Sequence, residues 1–340
     1  MLRFPIMIYL LALICGCSGF DSTDADKGLI CGSMLSESRE PFPDVTTPPL
    51  SLSGAAQRDP DGSIVVVINP MVRGSTSVIA PPWASEKIEF KLDGMPLKPE
   101  TLRISKDELA IPLDIVTVID TSQSMFWAIE GVKKSIRGFR DTLSAAGYSV
   151  RLAGVEFGDR VRSISDFGNM DKFEKWANGL EAQGGGDRPE SSLDAILEAW
   201  QTIRFARGAQ RIILLVTDSG FHEKSDQSSC SEYNLSDLQM NLRGKVMPVV
   251  FEGRIDQGIG TGVSPKKITD ALGGMYFYLD AKSDELAVQF EISLGKKLSE
   301  LLSNTLVARF AGSPESANAD DVEVLLDWGG ETFSQSLLIE

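Results

Sequence analysis

Apolar residues change their rhythm twice along this chain. Between Ser63 and Pro112 they fall in short runs: Ile64-Val65-Val66-Val67-Ile68, the alternating Lys87-Ile88-Glu89-Phe90-Lys91-Leu92, and Leu102-Arg103-Ile104, separated by Pro and Gly. Such runs, bounded by turn formers, predict antiparallel strands. From Leu113 the rhythm becomes strand, helix, strand. The mostly apolar run Leu113 to Ile119 precedes Ile129, Val132, Ile136, Phe139, Leu143 and Ala146, whose alternating spacings of three and four give a helix one continuous apolar face. Tyr148 to Phe157 and Val161 to Phe167 then read as two strands joined at the turn Gly158-Asp159. A helix around Ser192 to Phe205 leads to Arg211–Thr217, which is apolar from Ile212 to Val216 and therefore suits a central strand buried on both faces. Lys245 to Phe251 and Met275 to Leu279 add strands, and Leu286 to Leu302 a closing helix. Thr305 to Phe310, Val322 to Leu326 and Phe333 to Ile339 return to the β rhythm.

This order predicts an α/β fold with a doubly wound, mainly parallel sheet. Two β segments, 63–112 and 303–340, flank the α/β unit at 113–302, which suggests that the unit is inserted in a small β-sandwich completed by both ends of the chain. Termini of a domain often lie close together, so such an insertion is sterically cheap. Two separate β modules are the competing arrangement.

Ahead of these elements, Met1-Leu2-Arg3 gives a short positive start, and Phe4 to Ile14 is an apolar run too short to span a bilayer. Residues 1–16 therefore read as a secretory signal peptide. Ile14-Cys15-Gly16-Cys17 resembles a bacterial lipobox, which implies acylation of Cys17 and an anchor in the membrane, with ordinary signal cleavage as the alternative. Residues 17–62, rich in Ser, Asp, Pro and Gly, read as a flexible tether. With Cys17 acylated, Cys31 and Cys230 are the thiols left in the mature chain; an oxidising compartment would let them pair, and two free or buried cysteines are the alternative.

Composition narrows the function classes. Of the 340 residues 42% are hydrophobic and 24% charged, enough apolar material for a core. The formal net charge of −15 opposes a nucleic-acid partner, since that affinity comes mostly from Lys and Arg on phosphates.

Chemistry gathers after the first central strand. Asp120-Thr121-Ser122-Gln123-Ser124 places one carboxylate and two hydroxyls at a strand-to-helix turn, where open α/β sheets bind ligands. Alone this string equally suits helix capping. Two more loops alter that balance: Gly184-Gly185-Gly186-Asp187-Arg188-Pro189-Glu190, and Thr217-Asp218-Ser219-Gly220 at the end of the second central strand. The glycine run lacks the Lys-Ser/Thr of a P-loop and reads as backbone freedom. The order and spacing of the three loops, over roughly Leu113 to Leu302, resemble the von Willebrand factor A family with its metal-ion-dependent adhesion site. Ile268 to Gly274, followed by a strand, is similar to the end of many such domains.

That resemblance implies Ser122 and Ser124 as direct ligands, with Asp120 and Asp218 holding coordinated waters. The third loop is similar to the variant of integrin β subunits and many bacterial members, which implies Glu190 as the residue approaching the ion and Asp187 as the second candidate. An all-oxygen set suits Mg²⁺, with Mn²⁺ or Ca²⁺ as substitutes, and does not suit zinc. The implied function is cation-dependent binding of a protein that donates a carboxylate. A structural envelope protein, whose ion only ties loops together, and a metal-assisted hydrolase are the other classes. His222, the single histidine, has no accompanying triad signature and reads as a loop residue. Phe126 and Trp127 read as packing at a helix start, with aromatic area presented to a partner as the alternative.

Overall fold

The computed structural model describes residues 50–72, 88–104, 112–145, 148–184, 189–226, 231–253, 262–279, 303–313, 318–328 and 330–339. The signal peptide, Cys17, Cys31, Cys230, Asp187 and the closing helix lie outside these residues.

A six-stranded sheet carries the α/β part, in the order β11-β10-β9-β6-β7-β8. Its strands are β6 (Pro112–Asp120), β7 (Ser149–Phe157), β8 (Val161–Gly168), β9 (Gln210–Thr217), β10 (Met247–Gly253) and β11 (Met275–Leu279). All neighbours are parallel except the β7–β8 hairpin. Helices cover both faces: α1 (Phe126–Ala145), α2 (Met170–Asn178), α3 (Ser192–Thr202), α4 (Leu235–Leu242) and α5 (Lys266–Leu272).

Strand alternation decides which helix packs where. Successive side chains of a strand point to opposite faces, so Leu113, Ile115 and Ile119 of β6 join Ile212, Leu214 and Val216 of β9 in one core with Ile129 and Val132 of α1 and Phe173 of α2. Val116 and Val118 join Ile213 and Leu215 in the other, against Leu193 and Ile196 of α3, Leu238 of α4 and Ile268 of α5. The sheet is thus doubly wound, as its sequence rhythm predicts. In α1 the side chains of Ile136, Phe139 and Leu143 lie outside the described residues, as does Ala146. Phe126 departs from its expected packing and is 48% exposed, because Met125, Ala128 and Ile129 already fill the core beneath the helix start.

The flanking segments build two four-stranded antiparallel sheets. One has the order β1-β2-β12-β5, from β1 (Leu50–Arg58), β2 (Ile64–Val72), β5 (Thr101–Ile104) and β12 (Leu306–Phe310). The other has the order β14-β13-β3-β4, from β3 (Ile88–Leu92), β4 (Met95–Leu97), β13 (Asp321–Trp328) and β14 (Glu331–Leu338). They share one core, in which Phe90 and Phe310 meet edge to face at 5.1 Å. Asp93 and Gly94, with φ of 46° and 79°, form the two-residue turn between β3 and β4.

The tether expectation over 17–62 requires a correction at its end, since β1 occupies Leu50–Arg58 and pairs along its whole length with β2. Its Ser, Gly and Ala residues give it little strand propensity of its own; the partner strand supplies the register.

Glycines reveal how the two parts meet. A Cβ at Gly208, just before β9, would strike Gln57 of β1, and one at Gly244, just before β10, would strike Gln335 of β14. The sandwich therefore abuts the amino edge of the parallel sheet. Asp120 ends β6 and Asp218 follows β9, both at the carboxyl edge.

Candidate functional site

Register brings the first two loops together. β6 and β9 are parallel neighbours with Ile119 opposite Val216, so Asp120 arrives beside Thr217. Asp120 is fully buried; its Oδ1 accepts a hydrogen bond from the Ser122 N–H at 2.8 Å and its Oδ2 one from Thr217 Oγ1 at 2.7 Å. Ser122 Oγ lies 3.2 Å from Ser124 Oγ, which donates to Asp218 Oδ1 at 3.0 Å. A continuous chain of oxygen atoms thus runs from the first loop to the second. Burial, and next the negative charge of Asp218, push the Asp120 carboxyl up to about 6.

Main-chain bonds sew the third segment to both loops. At its start the Gln183 N–H donates to Thr121 O (2.9 Å) and the Gln123 N–H to Gly184 O (3.1 Å). At its end the Glu190 N–H donates to Gly220 O (2.9 Å), while the His222 N–H donates to Glu190 O (3.1 Å). Glu190 is buried and bridges in parallel to Phe221, so its backbone lies against the segment that follows Asp218. Asp187 falls outside the described residues.

Several contributors escape a reading of sequence alone. Thr217 orients Asp120, and Thr121 is fully buried between Asp120 and Ser122. Arg162 of β8 donates from Nη1 to Thr121 O at 3.1 Å and to Thr121 Oγ1 at 2.8 Å. Glu156 accepts from Thr121 Oγ1 at 3.2 Å and from Ser163 Oγ at 2.9 Å. Thr217 has a sequence signal, its place opposite Asp120 once β6 and β9 are taken as neighbours. Arg162 has none, because it sits in an ordinary strand pattern.

The donors can be tested against a cation. Among the described residues no three of His, Cys, Asp and Glu group as a metal centre; what gathers is two hydroxyls and two carboxylates. That is the chemistry of a hard ion. Neighbouring oxygens of a Mg²⁺ octahedron, at about 2.1 Å from the ion, stand about 3.0 Å apart. The Ser122–Ser124 separation of 3.2 Å is close to that edge, and Asp218 stands behind the pair, 3.0 Å from Ser124 Oγ. The residues fit the ion, whose charge would offset the repulsion between Asp218 and the buried Asp120.

No curated protein sequence matches the chain. Among solved structures it is similar to BatB, a conserved hypothetical protein from Bacteroides thetaiotaomicron, at 13% identity over 56% of this chain and 98% of that one (TM-score 0.40). It is similar to the pilus adhesin SpaC from Lactobacillus rhamnosus GG in its open conformation, at 12% identity over 94% of this chain and 51% of that one (TM-score 0.42). Proximal thread matrix protein 1 from the mussel byssus matches at 15% identity over 62% and 50% (TM-score 0.42). The chain spans about half the length of the last two. The family model of the von Willebrand factor type A domain matches residues 114–252, from within β6 to within β10.

Proposed function

We propose that this protein binds another protein through a divalent cation, Mg²⁺ by preference, held by Ser122 and Ser124 with Asp120 and Asp218 behind them. The observation that carries the reading is the pair Ser122 Oγ and Ser124 Oγ at octahedral-edge spacing, backed by Asp218 and a buried Asp120. Glu190 and Asp187 are the further candidates of the third loop. A bound ion would supply a Lewis-acidic point to which a partner's carboxylate can attach. Ser122 and Ser124 suit that role because neutral hydroxyls leave the ion most of its charge.

Binding fits better than the alternative in which the ion only ties loops together. Backbone bonds already join the three segments at Gln183, Gln123 and Glu190. A staple would be redundant there. We further propose an extracytoplasmic protein of the bacterial envelope, anchored through Cys17, which acts by binding and not by catalysis.

Titration calorimetry on the full-length protein tests the site: Mg²⁺ binding is expected, and Asp120→Ala or Ser122→Ala abolishes it. Absence of binding by the unaltered protein removes the proposal. Capture from the membrane fraction in Mg²⁺, followed by elution with EDTA, tests the rest. A partner that stays bound in EDTA rules out metal bridging, and recovery of the protein only from the soluble fraction rules out the anchor.

A further inference from the structure

Arg162 reaches the candidate site from the edge strand β8, behind the first loop. Its Nη1 donates to both the carbonyl and the hydroxyl of Thr121. A Cβ placed on Gly158 or on Gly184 would come within 2.8 Å of its Nη2. The guanidinium is therefore packed between the β7–β8 turn and the start of the third loop, both of which are glycine where they face it. Thr121 is closed on every side: its N–H donates to Phe157 O at 2.8 Å, its carbonyl also accepts from Gln183, and its hydroxyl lies 3.0 Å from Phe157 O.

We infer that Arg162 is the positioning residue of the hydroxyl loop, fixing Thr121 so that Asp120 and Ser122 are already aimed before an ion arrives. The inference rests on the metal-site reading proposed above. Residues on either side of a locked peptide have their side-chain directions set by it, and Thr121 stands between a carboxylate and a hydroxyl of the donor set. A single charged donor gripping two oxygens of one residue holds it more firmly than a neutral donor. The same group lies against Gly184, so the start of the third loop moves only if the clamp moves. Outer partners of this kind orient ligands without touching the ion.

The test compares full-length protein with its Arg162→Ala and Arg162→Lys variants. Mg²⁺ affinity is read by calorimetry, and amide hydrogen exchange at Thr121–Ser124 and the melting temperature are read in EDTA. The clamp predicts that Arg162→Ala weakens Mg²⁺ binding by about 10- to 100-fold and speeds exchange at Thr121–Ser124 with no ion present. Arg162→Lys, which keeps a charged donor for Thr121, should restore most of both. Affinity equal to the unaltered protein's overturns the inference. So does a loss in both variants that tracks a fall in melting temperature, which marks a general structural role. If the unaltered protein binds no Mg²⁺, the site reading fails first and takes this one with it.

Discussion

At the scale of single residues, burial gives ordinary groups unusual states. His222 was legible as a loop histidine, but its environment was not: Phe221 bridges both Glu190 and Val263, and this pulls the imidazole to 5% exposure. Burial lowers its pKa, and outweighs the attraction of Asp226, whose Oδ2 lies 3.8 Å from Nδ1, and of Asp159 and Asp194. The unfolded chain takes its proton near pH 6.5, while the fold resists it to lower pH. Stability present above that value should therefore fall as the solution is acidified through it. Melting curves from pH 7.5 to 5 for the protein and its His222→Gln variant check this, since glutamine stays neutral and should flatten part of the slope. Identical slopes would exonerate the histidine. The oxygen-donor loops were more legible, because Asp120 ends one strand, and Ser122, Ser124 and Asp218 follow strands, whose apolar runs fix where they stop. Arg162 was not, because its partner Thr121 is 41 residues away and only the hairpin's geometry joins them.

At the scale of elements, long helices could be read and short ones could not. Helices α2, α4 and α5 have nine, eight and seven residues, too few turns for periodicity to stand out. For α2 and α4 the signals were in the caps. Asn169 accepts from the Lys172 N–H at 3.0 Å, and Asn234 with Asp237 forms a capping box at the start of α4. What seats α2 is a missing side chain on its neighbour, for a Cβ at Gly154 of β7 would lie 2.2 Å from the Trp176 ring. Gly154→Ala should thus expel Trp176, break its 3.3 Å bond to Ser163 Oγ, and cost about 1–3 kcal/mol as overpacking does. Urea unfolding followed by tryptophan emission measures both effects. An unchanged midpoint would mean that the ring relocates freely.

At the scale of the whole molecule, the two ends of the chain complete one another. β12 lies between β2 and β5, and β13 lies between β14 and β3, so neither four-stranded sheet belongs to one flank. Removing a shared core side chain should be felt at the distant end. Phe310→Ala is expected to cost about 3–5 kcal/mol and to open the N-terminal strands at 50–104 to limited proteolysis. Unchanged resistance there would favour two independent β modules. The sequence by itself determined the class of the fold, the β character of both flanks and the loops that carry oxygen donors. Those properties follow from local periodicity and from the places where it stops. The tertiary structure alone decided that β1 is a strand, that Thr121 is locked by Arg162 and that the sandwich meets the sheet at the edge opposite the site. Each of these depends on groups far apart in the chain, whose contact no local pattern encodes.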